Sequence, residues 1–172
     1  MEALKIKERV IEIFQEMRST PNDYFDKTHF LDFLVTPTVK KNTLKNSFKG
    51  AKKYYNFIKK IELEYSICFS SSDQDKYYSL DRFVAKVQER LSMKKGNIMI
   101  IKARKKERER FLFEIILTFL MASIIYWKGI DIITIFLLIP YLLIMRWIIV
   151  NRLRDKKHTQ LLYNKLMKDA SD

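Results

Sequence analysis

Residues 111–150 read FLFEIILTFLMASIIYWKGIDIITIFLLIPYLLIMRWIIV, and the reading of this stretch decides the fold. Phe111–Trp127 is apolar apart from Glu114, and Ile132–Val150 is apolar apart from Arg146. At ~1.5 Å of rise per residue such runs cover ~26–28 Å, near the lower end of what a bilayer core requires. The connector Lys128-Gly129-Ile130-Asp131 is short enough to force an antiparallel return. The rest of the chain offers too little apolar surface to cover two helices that are apolar all round. The expectation is therefore a two-helix transmembrane hairpin.

Working outward, both flanks of the hairpin are basic. Residues 94–110 carry eight basic and two acidic side chains, and residues 151–172 carry six and three. The positive-inside rule then places both ends of the hairpin on the cytoplasmic side. Anionic lipid headgroups are the natural counter-charge, at about 1 kcal/mol per basic residue near the surface, and nucleic acid is the less natural one. The N-terminal 30 residues are charged and amphipathic, unlike a signal peptide. The richness in Lys, Ile and Phe points to a bacterial inner membrane, with an organelle membrane as the other setting.

Glu114 and Arg146 are the ionisable groups inside the apolar runs. In an antiparallel hairpin centred between Gly129 and Ile130, Glu114 falls level with Met145 and beside Arg146. An intramembrane Glu114–Arg146 pair is expected, because charges in spans find partners. One such pair assembles no proton or ion relay within one copy. Trp127 and Trp147 fall near opposite interfaces, and Pro140 is expected to bend the second helix because it removes a backbone donor.

Residues 1–93 read as a cytoplasmic helical bundle. "ALKIKERVIEIFQEM" places Leu4, Val10, Ile11, Phe14 and Met17 near one face. "DKTHFLDFL" predicts a short helix closed before Pro37. "NTLKNSFKGAKKYYNFIKKIELEY" carries Leu44, Phe48, Ala51, Tyr55, Ile58 and Tyr65 at helical spacing. Ser79 is an N-cap for "LDRFVAKVQERL", whose stripe is Leu80, Phe83, Val84, Val87 and Leu91. No alternating run long enough for a sheet is present. The fold class is all-α: a four-helix bundle (1–93), a basic helical stalk (94–110), the hairpin (111–150) and a basic amphipathic tail (151–172). The tail's Leu161, Leu162 and Leu166 either lie on the interface or pack against the stalk.

"IKKIELEYSICFSSSDQDKYYSLDRFVAKVQERL" resembles the second half of an acyl carrier protein, and "IKERVIEIFQEM" and "THFLDFL" resemble its first helix and the segment after it. The resemblance is ungapped over residues 51–91 and needs an insertion around "VTPTVKKNTLKNSF". It implies a small four-helix bundle. It departs from the family where function lies, since the Asp-Ser-Leu that takes a phosphopantetheine arm is replaced by Gly50-Ala51-Lys52. Ser47, in "KNSFKG", would be the attachment point only if the chain were a carrier. The family's docking helix is acidic, whereas residues 35–61 here carry Lys40, Lys41, Lys45, Lys49, Lys52, Lys53, Lys59 and Lys60 and no acid. That reversal of sign repels the family's usual partners and makes the lysines a candidate interaction face for anionic lipid or an acidic protein. Simple solvation of the charge is the bland alternative.

Catalytic and metal chemistry find no foothold. His29 and His158 are far apart, Cys68 is the one cysteine, and three glycines build no phosphate loop. Glu62/Glu64 and Asp73/Asp75 are spaced to point apart or lie in a loop. Ser70, Ser71, Ser72, Asp73 and Asp75 lack the glycine and terminal glutamate of a calcium loop and fit turn and capping roles. The expectation is a non-enzymatic, membrane-anchored interaction module without a cofactor: an adaptor, an immunity-type protein or an accessory subunit, with an acidic partner. A membrane-disrupting effector whose hairpins form a homo-oligomer is the first alternative, and a membrane-tethered acyl carrier the second.

Overall fold

The computed structural model describes residues 2–18, 20–35, 44–70, 73, 79–106 and 111–169, with the backbone alone at 2, 35 and 44–49. Among the described residues the structure is all-α, as expected. The helices are α1 (Glu2–Met17), α2 (Asp32–Val35), α3 (Leu44–Tyr65), α4 (Leu80–Ser92), α5 (Lys94–Lys106), α6 (Leu112–Lys128) and α7 (Ile132–Lys168). The chain divides into two compact units, one of residues 1–104 with 160–172 and the other of residues 105–159.

The first unit is a helical bundle with an aromatic centre. α1 packs on α3 and α4, and α2 packs on α3. Ile6, Val10, Ile13 and Phe14 of α1 meet Phe57, Ile58 and Ile61 of α3 and Leu80, Phe83, Val84 and Val87 of α4. Phe30, Leu31 and Leu34 complete this core from the segment around α2. The ring of Phe30 lies 5.3 Å from that of Phe14, 6.1 Å from Phe57 and 5.6 Å from Phe83, each edge to face. Each such pair contributes about 0.5–1.5 kcal/mol beyond simple burial.

The stripe expected on α4 is the buried one, and Ser79 caps that helix by accepting from the Arg82 N–H at 3.4 Å. On α1 and α3 the expected stripes hold at Val10, Phe14 and Ile58, with Ile11, Met17 and Tyr65 packed against the core, and miss at one residue each. Leu4 is 61% exposed and Tyr55 is 52% exposed, while Ile6, Ile13, Phe57 and Ile61 are buried. At ~100° per residue, a residue two positions before a buried one lies ~160° round the helix from it. Leu4 precedes Ile6, and Tyr55 precedes Phe57, by that interval. The expected helix over "DKTHFLDFL" is confined to Asp32–Val35. Before it, Asp26–Phe33 turns through i→i+3 bonds, with the Thr28 N–H held by the Asp26 carboxylate at 2.8 Å.

α3 ends at Ser66, whose φ of 50° lies in the left-handed region. The Ile67 N–H then returns to the Glu62 carbonyl at 3.1 Å, a Schellman closure. Beyond it Ile67 and Phe69 enter the main core, and Cys68 faces a second cluster. That cluster joins Cys68 to Ile101 of α5 and to Leu162 and Leu166 of α7, with Leu63, Ile98, Ile100 and Tyr163 around them. The basic segment after residue 93 is thus, over α5, part of the bundle, with Asn97 and Ile101 buried. Of the two places expected for the tail, its Leu162 and Leu166 occupy the one against α5.

The second unit is an antiparallel helix pair. Gly129, at φ 73°, ends α6 by donating its N–H to the Ile125 carbonyl at 2.8 Å, in a conformation that a side chain would strain. Asp131 then caps α7: its Oδ1 accepts from the N–H and from the Oγ1 of Thr134, both at 2.7 Å. Those bonds hold the Asp131 carboxyl below the usual carboxylate range. α7 continues through Pro140 as one helix to Lys168.

Candidate membrane and interaction surfaces

The hairpin's surface is the least explained by water. On α6, Leu112, Phe113, Ile115, Ile116, Phe119 and Leu120 are all more than half exposed. α7 is long and apolar enough to cross a membrane, and its apolar stretch is almost wholly uncovered. A buried helix of a soluble protein would reach that hydropathy only under cover, and contiguous exposed apolar surface on this scale marks an interface. α6 is as apolar, but its 17 residues make it short for a span. By length and composition, α7 is the one candidate membrane helix among the described residues.

The two helices of the pair meet through polar groups. The Thr118 and Tyr141 hydroxyls are 3.0 Å apart, which matches a register centred between Gly129 and Ile130. Glu114 is buried, 9% exposed, but its partner is Arg152 and not Arg146. The guanidinium of Arg152 bonds the Glu114 carboxylate and stacks over the Phe111 ring, 4.4 Å from its centroid. The expected Glu114–Arg146 pair is corrected for a directional reason. Side chains on a helix lean toward its N-terminus. In an antiparallel pair Glu114 leans away from the connector, while Arg146 and Arg152 lean toward it. Side also matters: at ~100° per residue Arg146 lies ~140° round α7 from Tyr141, whereas Arg152, eleven residues beyond Tyr141, shares its side and sits farther from the connector, where the two leans converge. Glu114 also lies in the first turn of α6, where the helix dipole favours an anion. Arg146 itself is exposed.

The lysine face is described in part. Lys40 and Lys41 lie outside the described residues, as do the side chains of Lys45, Lys49 and Ser47. Lys52 is exposed, and Lys53, Lys59 and Lys60 are half-buried. Lys60 is paired with Glu16 of α1, so one lysine of the eight serves packing between α3 and α1. Lys53 and Lys59 also have partners.

A buried polar network, missed in the sequence, fastens the segment after α3. Glu62 is 1% exposed and receives two bonds from the Arg104 guanidinium, at 2.9 and 3.1 Å. Its Oε1 also accepts from the Phe69 N–H at 3.0 Å, and Arg104 donates to the Phe69 carbonyl at 2.7 Å. Asn97 accepts from the Cys68 N–H at 3.3 Å and donates to the Arg90 carbonyl at 2.7 Å. Asp73 accepts from Ser70 N and Oγ, both at 2.7 Å, and pairs with Arg90 at 2.5 Å and Lys86 at 3.1 Å. Burial opposes ionisation of Asp73, yet the bonds from Ser70, Lys86 and Arg90 outweigh it and lower its pKa. Ser71, Ser72 and Asp75 lie outside the described residues. Glu64, by contrast, points outward to Arg9 at 2.8 Å. The Cys68 thiol is pushed up to about 12, chiefly by burial and then by the neighbouring Glu62. This wiring consumes its own charges: each cation named faces a carboxylate of the same unit, so it reads as structural.

No family model matches the chain, and neither a curated protein nor a solved structure matches it. The resemblance to acyl carrier proteins thus rests on the quoted motifs alone.

Proposed function

We propose that the chain is a non-enzymatic interaction module anchored in a membrane by a two-span hairpin, with its helical bundle and both ends of the hairpin on the cytoplasmic side. The observation that carries this reading is the uncovered apolar surface of α6 and α7. The connector supports a second span, because α6 leads into α7 through three residues closed by Gly129 and capped by Asp131. With α6 at 17 residues, ~26 Å, it spans only where the bilayer thins slightly around it, at a modest energetic penalty. The basic residues flanking the hairpin support the orientation, and a bacterial inner membrane is the setting they fit best.

The bundle then holds an acidic protein, or is held by one, at the membrane surface, with Lys52 the exposed and described member of the lysine face. The Glu114–Arg152 pair favours anchoring over the effector reading, since the buried charge of α6 is neutralised within one copy. The test has two parts. Membranes from expressing cells are washed at high pH; the intact chain stays in the pellet and a version lacking residues 111–150 is released. The detergent-solubilised chain recovers a partner that is lost when the lysines of 40–60 are reversed to glutamate. Retention of every partner by the reversed protein reduces the lysine face to solvated charge. Depolarisation of cells by the intact chain alone would replace the anchor with the effector reading.

A further inference from the structure

Arg146 is left with an exposed charge in an apolar setting. It is the basic residue inside the run Ile132–Val150, and Leu142, Leu143, Trp147, Ile149 and Val150 around it are exposed as well. The carboxylate that would have matched it, Glu114, is held by Arg152. Arg146 makes no ion pair or hydrogen bond among the described residues. A guanidinium at membrane depth without a counter-charge is strongly disfavoured, so its partner comes from outside the chain.

We propose that Arg146 is a phospholipid-binding residue that takes the phosphate of a headgroup from the leaflet at the basic end of the hairpin. The inference rests on the membrane reading given above and names the ligand class of that surface. Three observations favour a phosphate. The planar fork of five N–H donors fits the paired oxygens of a phosphodiester. Trp147, 59% exposed next to Arg146, is a residue type of the membrane–water interface, so the pair marks where the interface lies once a short hairpin has drawn it inward. The third is distance. Arg146 precedes Asn151, the next polar residue, by about 7.5 Å along the helix axis, and its Cα–Cβ bond leans toward the connector and away from that end. The side chain therefore falls short of an undisturbed headgroup plane. A hairpin this short draws the plane inward, and the phosphate meets the guanidinium. A carboxylate from a second copy fits less well, because Glu114 is engaged by Arg152 in each copy.

The test uses the full chain and its variants R146Q and R146K in vesicles of equal parts phosphatidylcholine and phosphatidylglycerol. Resistance to high-pH washing scores insertion, and mass spectrometry of the chain released intact counts bound phospholipid. The expected result is that all three stay inserted, that R146Q holds its lipid about tenfold less than the wild type, and that R146K lies between. Lipid retention by R146Q equal to wild type overturns the proposal, as does a second copy or another polypeptide held through Arg146 in place of lipid. Should R146Q fail to insert, R146K decides, since retention equal to wild type would show that the fork has no role. Loss of all three from the membrane at high pH would remove the membrane reading and this site with it. Insertion with an unchanged lipid count removes the site alone.

Discussion

The core around Phe57 and the flanks of the α6–α7 hairpin are made from the same residues in opposite circumstances. Phe57 and Ile61 are fully buried, while Phe119 is 75% and Ile116 61% exposed. In the first unit, apolar stripes alternate with charged faces, and each stripe finds another. In the second, the apolar stretches of both helices leave most of their large side chains exposed. The contrast teaches that the same residue types are covered in one unit and left uncovered in the other. The bundle folds to remove its stripes from water, whereas the exposed apolar surface of the hairpin is what the proposed membrane anchor would place in lipid.

Substitutions break or sharpen this contrast, and the largest effect belongs to the aromatic core. Phe57→Ala should destabilise the bundle by about 3–5 kcal/mol, through lost burial and a cavity among Phe14, Phe30 and Phe83. Phe119→Ala, chemically identical, should leave unfolding of the bundle unchanged. Urea unfolding of the full chain in detergent, followed by circular dichroism, measures both. Equal losses at the two sites would erase the distinction between the units.

Glu62→Gln comes next. It leaves the guanidinium of Arg104 facing a neutral amide beside a buried backbone, and about 2–3 kcal/mol should be lost in the same assay. No site of the hairpin's exposed flank should respond as strongly to a change that conserves shape. Glu64→Gln, at the outward-facing carboxylate two residues on, is the control with a small effect.

A smaller effect is read through pH. The Asp73 carboxyl is lowered in the folded chain. Its stabilisation is therefore fully present above the unfolded carboxylate value of ~3.9, and is lost as pH falls through the lower folded value. Thermal unfolding of the wild type should lose stability below about pH 4, and Asp73→Asn should lower Tm at neutral pH and flatten part of that acid decline. An acid decline identical in the two proteins would take Asp73 out of the account. The smallest effect is expected where the two helices of the hairpin meet. Tyr141→Phe removes the bond to Thr118 and should cost about 0.6 kcal/mol, as measured by unfolding of the pair in mixed micelles.

Much of the bundle was legible in the sequence because its helices carry strong signals. The Ser79 cap and the α4 stripe are both in place, since a cap and five apolar residues at helical spacing agree. On α1 and α3 the expected stripes hold except at Leu4 and Tyr55, which face outward while Ile6 and Phe57 are buried. Ile6, Ile11 and Ile13 on α1, and Tyr55, Phe57 and Ile58 on α3, offer apolar residues on more than one side, and only the partner helix chooses. The α5 segment reads as a basic stalk because eight basic residues dominate residues 94–110; Ile98 and Ile101 in it are spaced three apart, the one available signal of a buried side. Glu62 paired with Arg104 was not legible, since their sequence separation carries no periodicity. The Glu114 partner is not legible from depth alone, since the side of α7 that carries Tyr141 and the lean of side chains along each helix also select it. Gly129 and Asp131, by contrast, announce the connector by type and position.

The central claim, that α6 and α7 both cross a membrane, is tested most directly by thiol labelling of two variants in intact cells. Ile130→Cys sits in the connector, 80% exposed, and Lys157→Cys sits beyond the basic end of the hairpin. The native Cys68 is silent in the folded chain, being buried with a thiol pushed up to about 12. A membrane-impermeant maleimide should label Ile130→Cys from outside, and Lys157→Cys only after the cells are opened. Protection of both positions until lysis, with release of the chain at high pH, would contradict the account.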